Sequence, residues 1–144
     1  MKIGIGSDHA GFDMKEFLKE ELKKEGYEVK DYGPEVKKSV DYPDFAEKVA
    51  KGIKNKEVKK GILICGTGIG ISIAANRYPW IRAARACTTH DALLSREHND
   101  ANIIVLAGRI INNELALLMV KIFMETPFLK GRHLKRVNKL KRMV

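Results

Sequence analysis

The stretch Cys65-Gly66-Thr67-Gly68-Ile69-Gly70 carries the most distinctive chemistry in the sequence, because a thiol stands directly before glycines at alternate positions. Such glycines let a backbone turn sharply and present successive N–H groups, a geometry suited to an anion. A thiol at the start of a helix has its thiolate stabilised there and can serve as base or nucleophile. The loop is not a Walker A motif, since no Gly-Lys-Ser/Thr follows. It also fails as a dinucleotide fingerprint, because Ile71 occupies the place of the third small residue. On the glycines alone, a plain strand-to-helix turn is an equal reading. Cys87 has no glycine loop after it and reads better as a small apolar residue.

Further polar residues sit where chemistry is expected. Asp8-His9 comes just before Gly11, and His98-Asn99 lies in Arg96-Glu97-His98-Asn99-Asp100 ahead of an apolar run. Tyr42 enters a helix in Asp41-Tyr42-Pro43-Asp44, and Arg109 follows Gly108 after another apolar run. Arg132 and Arg136 are spaced to share one helical face, where paired guanidiniums can clamp a phosphate. Each has a plain alternative: a helix-terminal histidine satisfied by the dipole, a packing tyrosine, a solvated basic face. The histidines His9, His90, His98 and His133 fit no zinc spacing.

The elements that must position these residues alternate. Strands are expected at Lys2–Ser7, Tyr27–Tyr32, Gly61–Cys65, Ile81–Ala86 and Ile103–Ala107. Helices are expected at Phe12–Glu25, Pro43–Asn55, in the small-residue stretch after Gly70, and at His90–Glu97, Asn112–Glu125 and Leu134–Met143. That order predicts an α/β fold, a three-layer α/β/α sandwich around a five-stranded parallel sheet of Rossmann-like or flavodoxin-like type. In such sheets ligands bind at the carboxyl ends of the strands, where Asp8-His9, Cys65 to Gly68 and Gly108-Arg109 fall.

At 144 residues the chain is expected to form one domain, 1–144. With 44% hydrophobic and 31% charged residues it has the balance of a globular rather than a disordered protein. Its longest uncharged stretch, Gly61 to Asn76, holds 16 residues and four glycines, too short to span a bilayer. The N-terminus has no signal-like core, and the two cysteines fit a reducing compartment, so a cytoplasmic location is expected. Lys and Arg total 27 against 18 acids, and seven of those basic residues lie within 126–144, a segment with no acid. A basic tail suits an acidic or phosphorylated partner, and it keeps a nucleic-acid-binding module as the alternative from another class. The tail lacks interleaved aromatics, so no nucleic-acid or membrane partner is expected.

Taken together, the motifs resemble the type B ribose-5-phosphate isomerases and their sugar-phosphate isomerase relatives. The resemblance spans nearly the whole chain. It rests on Gly6-Ser7-Asp8-His9-Ala10-Gly11, Ser39-Val40-Asp41-Tyr42-Pro43-Asp44, Gly61 to Asn76, Glu97 to Asn102, Gly108-Arg109 and Gly131-Arg132-His133 with Arg136. It implies an aldose–ketose isomerase of the pentose phosphate pathway that interconverts ribose 5-phosphate and ribulose 5-phosphate through an enediolate. Cys65 would move the proton between C1 and C2. The N–H groups of Gly66, Thr67, Gly68, Ile69 and Gly70, with the Thr67 hydroxyl, would hold the enediolate oxygen. His98 would open the furanose ring, with Asp8 nearby. His9, Arg132 and Arg136 would hold the phosphate, and Tyr42, Asn99 and Arg109 would line the site. It further implies no cofactor or metal, and a homodimer, or a dimer of dimers, whose pocket is shared between subunits.

The sequence departs from the family's pattern between Arg85 and Leu93, Arg85 standing where an apolar strand residue is usual. This bears on substrate more than on reaction type, and keeps allose or galactose 6-phosphate as alternative substrates. Galactose-6-phosphate isomerase subunits generally lack the cysteine, so Cys65 points to the pentose-phosphate branch.

Overall fold

A computed structural model describes residues 1–143; Val144, the end of the expected basic segment, lies outside them. The elements in chain order are β1 (Lys2–Ser7), α1 (Phe12–Lys24), β2 (Glu28–Asp31), α2 (Tyr42–Lys54), β3 (Lys60–Cys65) and α3 (Ile69–Ala75). They continue with β4 (Ala83–Arg85), α4 (Thr89–Glu97), β5 (Ile103–Ala107), α5 (Asn113–Glu125) and α6 (Leu134–Arg142). Single 3-10 turns at His9–Gly11 and Gly131–His133 lead into α1 and α6.

The strands form one five-stranded, all-parallel sheet in the order β2-β1-β3-β5-β4. This is the expected three-layer α/β class, with the last two strands exchanged relative to the flavodoxin-like order. Strand alternation divides the core. Ile3, Ile5, Ile62, Ile64, Ile104 and Leu106 face α1, α4 and α5, meeting Leu18, Leu22, Ala92, Met119 and Phe123. Leu63, Cys65, Ile103 and Val105 face α2 and α3, meeting Ala46, Val49, Ala50, Ile71 and Ala75. The central strands β3 and β5 are buried along their whole length, as their continuous apolar runs require.

Boundaries shift where side chains replace the backbone ladder. β4 covers Ala83–Arg85 rather than Ile81–Ala86, because Asn76 clamps Ala83 at both its N–H and its C=O, and Asn102 Oδ1 accepts from Arg82 N. α4 starts at Thr89, one residue before the expected His90, because Thr88 Oγ1 caps it by accepting from Asp91 N at 3.0 Å. Asn112 likewise caps α5 and stands outside it, its Oδ1 accepting from Leu115 N at 2.8 Å.

Candidate active site

Three strand ends converge at one edge of the sheet. Beyond β1, Asp8 Oδ1 accepts from Ala10 N at 2.9 Å and Gly11 N at 3.1 Å, closing a tight turn. Gly11 packs so closely on β3 that a Cβ there would stand 2.7 Å from the Ile64 carbonyl oxygen. Beyond β5, Gly108 N donates to Cys65 O and Arg109 N to Gly66 O, which binds the third loop to the second. Cys65, 4% exposed, is thereby held between the loops that follow β1 and β5.

The glycine loop is shaped by a left-handed residue, Gly68, with φ +75°. Thr67 Oγ1 accepts from Ile69 N at 3.2 Å, so its hydroxyl hydrogen remains to be donated. Among the described residues, the N–H groups of Thr67 and Gly68 meet no acceptor. The Arg109 side chain lies over Gly66, its Nη1 3.2 Å from where a Cβ would stand, and Arg85 Nε donates to the Thr67 carbonyl at 2.8 Å. Two guanidiniums therefore flank a loop of open N–H groups, an arrangement that favours negative charge.

His9 and Tyr42 complete this edge. His9 Nδ1 accepts from Val40 N at 3.3 Å, so the neutral ring carries its proton on Nε2 and can donate it outward. The Tyr42 ring, at the start of α2, closes on Gly70, whose missing side chain would lie 2.7 Å from Tyr42 Cζ. Asp8, His9, Tyr42, Cys65, the loop from Gly66 to Gly70 and Arg109 are thus brought together, as sequence position relative to the strands implied.

The remaining candidates are elsewhere. α4 runs antiparallel to the sheet, so its end carries His98 and Asn99 to the opposite edge, where β5 begins. There Asn99 O and Asp100 O accept from the Arg82 guanidinium, and Asn102 O accepts from Gly61 N at the start of β3. The strand rise from Gly61 to Cys65 separates the two edges by about 13 Å. The C-terminal segment docks on this second edge: Arg96 Nε donates to Thr126 O and Leu129 N to Glu97 O. His133 stacks on His98, ring centroids 4.2 Å apart and planes 16° apart. Arg132 and Arg136 lie exposed beside them, with Arg136 Nη1 donating to Arg132 O. Partial desolvation, then the charges of His98, Arg132 and Arg136, hold His133 below its usual value. This second group is basic and half-open, suited to a dianion.

Two residues acquire a place that their sequence context did not suggest. His133 was visible only as part of the Gly131-Arg132-His133 motif, and its stacking partner is 35 positions earlier. Arg85 was visible only as a departure from a pattern, and it touches the glycine loop 18 positions earlier. Among the described residues, no three His, Cys, Asp or Glu side chains gather as a metal ion would need, and no helix is long and apolar enough to cross a membrane.

Comparison with known proteins gives one answer. The ribose/galactose isomerase family model matches residues 3–140. Ribose-5-phosphate isomerase B of Escherichia coli is 42% identical over 137 residues, 95% of this chain and 92% of that protein. The crystal structure of a ribose 5-phosphate isomerase from Thermotoga maritima superposes with a TM-score of 0.96 at 51% identity, covering 99% of this chain and 98% of that one. The Mycoplasma genitalium ribose-5-phosphate isomerase B, solved with bound ribulose 5-phosphate, has a TM-score of 0.93 at 38% identity, covering 98% and 94%. With a family model spanning nearly its whole length and end-to-end relatives above 40% identity, the chain belongs to the ribose/galactose isomerase family.

Proposed function

We propose that the chain interconverts ribose 5-phosphate and ribulose 5-phosphate, with Cys65 as the group that carries the proton. The observation that carries this reading is Cys65 at the end of β3, next to a loop whose Thr67 and Gly68 N–H groups are open. Aldose–ketose exchange needs one base that removes the C2 proton of the open-chain aldose and returns it to C1. The electron pair left behind moves onto the carbonyl oxygen, and donors must already be aimed at that oxygen. The loop from Gly66 to Gly70, with the Thr67 hydroxyl, is built to supply them.

Ring opening falls to His98 of the second group, and phosphate binding to residues of both groups. His98, a titratable imidazole, exchanges a proton with the furanose ring oxygen, with Asp8 near the sugar. His9, Arg132 and Arg136 bind the phosphate, and Tyr42, Asn99 and Arg109 line the pocket. Because His98, Asn99, Arg132 and Arg136 lie at the edge opposite Cys65, their separation supports a homodimer in which each pocket joins the first edge of one chain to the second edge of its partner. A pentose phosphate is expected to be the best substrate. Purified protein assayed with ribose 5-phosphate, allose 6-phosphate and galactose 6-phosphate should show the highest kcat/KM with the first. Preference for a hexose phosphate would move the chain to another branch of the family, and no turnover of any of the three would overturn the reading.

A further inference from the structure

We propose that Arg85 is a positioning residue of the isomerase: its bond to the Thr67 carbonyl aims the Gly68 N–H at the developing oxyanion. The proposal rests on the assignment of the glycine loop to the enediolate and adds a residue to it. Arg85 ends β4, and the alternation Ala83, Ala84, Arg85 places its side chain on the face that carries Cys65. To reach the loop it crosses the end of β5. The space beside Gly68 is bounded by the Leu106 carbonyl oxygen at 3.3 Å and by Arg85 Cγ and Nε at 3.4 Å from a notional Cβ. Arg85 Nε then donates to Thr67 O at 2.8 Å, and among the described residues the guanidinium makes no other hydrogen bond and no ion pair.

The consequence follows from peptide geometry. In a planar trans peptide the C=O of Thr67 and the N–H of Gly68 point in opposite directions. Holding the carbonyl on the Arg85 side therefore turns the Gly68 N–H away from it, and that N–H meets no acceptor among the described residues. A donor on the carbonyl also polarises the peptide, which strengthens the same N–H as a donor. A glycine at φ +75° has little steric restraint of its own, so the peptide plane needs an external tether. A solvent-exposed arginine whose single bond fixes one of the peptides that present N–H groups to the oxyanion acts on the transition state more than on substrate binding.

The test compares Arg85→Leu with Arg85→Gln, in which the amide nitrogen sits at the chain position of Nε and donates without charge. Arg85→Leu should lower kcat about tenfold, equivalent to about 1.4 kcal/mol of barrier, while KM for ribose 5-phosphate stays within about twofold. Affinity for a sugar-phosphate hydroxamate that mimics the enediolate should fall by about the same factor, and inhibition by inorganic phosphate should not change. Arg85→Gln should recover kcat to within about threefold of wild type, as expected for a retained neutral hydrogen bond. Wild-type kcat in Arg85→Leu overturns the proposal, as does an equal loss of hydroxamate and phosphate affinity, or a Gln variant no better than the Leu one. An active wild-type enzyme indifferent to Arg85 sinks this proposal alone. A wild-type protein that turns over no sugar phosphate sinks the loop assignment with it.

Discussion

Lys60 and Cys65 stand at the two ends of the same buried strand and meet opposite physical demands. Cys65 is a small, buried group that packs in the apolar cluster under α2 and α3 and stands directly before the glycine loop. Lys60 is an ammonium that is only 8% exposed, 5.4 Å from the centroid of the Phe123 ring and without a carboxylate partner among the described residues. Burial, aided by the neighbouring Arg96 charge and opposed by Asp100, pushes its pKa down from 10.5 to about 8. Between those two values the unfolded chain binds the proton that the folded chain has lost, so this group makes stability rise with pH across that window. The same burial makes Lys60 a cost at neutral pH, at most ~3 kcal/mol by linkage. Lys60→Met should therefore melt several degrees above wild type at pH 7, and the gap should narrow by pH 10. A variant that melts below wild type at pH 7 would mean that the ammonium is stabilising where it stands.

At the scale of elements, α1 and the edge strand β2 are joined by charge as well as by apolar packing. The fully buried Lys15 Nζ meets Asp31 at 2.8 Å and Glu16 at 2.9 Å, and Lys19 Nζ meets Asp31 at 2.7 Å. Burial alone would raise the Asp31 carboxyl, but the bonds from Lys15, Lys19 and Gly33 N outweigh it and hold it below the usual 3.8. Asp31→Asn leaves Lys15 with one half-exposed partner, and breaking a buried pair in this way costs about 3 kcal/mol. For a chain of this size that corresponds to a loss of roughly 6–12 °C in Tm at neutral pH. A depressed carboxylate stabilises above its unfolded pKa and loses that contribution as pH falls through its folded one. Below about pH 3.8 the melting temperatures of variant and wild type should therefore converge. An undiminished gap in acid would assign the effect to something other than the Asp31 charge. This network was not legible in the sequence: Lys15 lies seven residues before Leu22, at the border of the apolar face of α1, and nothing local marks Asp31, 16 positions later, as its partner.

For the whole molecule, the proposed pocket, drawn from groups at opposite sheet edges, calls for two chains. In a two-fold dimer with shared pockets, Cys65→Ala and Arg132→Ala damage different parts of each pocket. Each variant alone should be inactive or show a strongly raised KM, since a charge-assisted bond to phosphate is worth about 1.5–3 kcal/mol. Mixed and allowed to exchange subunits, they should regain up to roughly a quarter of the intact sites, because half the dimers are mixed and each of those has one whole pocket. A mixture that stays dead after proven exchange would confine the pocket to one chain.

Much of the architecture was determined by the sequence itself. The apolar runs of β3 and β5, the amphipathic spacing of α1, α2 and α5, and the glycine loop after Cys65 are local patterns of period two or 3.6, and they form where read. So does the group formed by Asp8, His9, Tyr42, Cys65 and Arg109, because each stands just past a strand or at the start of a helix packed on that edge. Tertiary structure alone decided the exchange of β4 and β5, since no local period encodes which strand lies outermost. It also decided the Arg85–Thr67 bond and the His98–His133 stack, which join residues 18 and 35 positions apart. Most consequentially, it sent His98, Asn99, Arg132 and Arg136 to the far edge. A helix that returns antiparallel to its sheet must carry its last turn one strand length away from the thiol, so the spacing of these residues along the chain says nothing about their distance from Cys65.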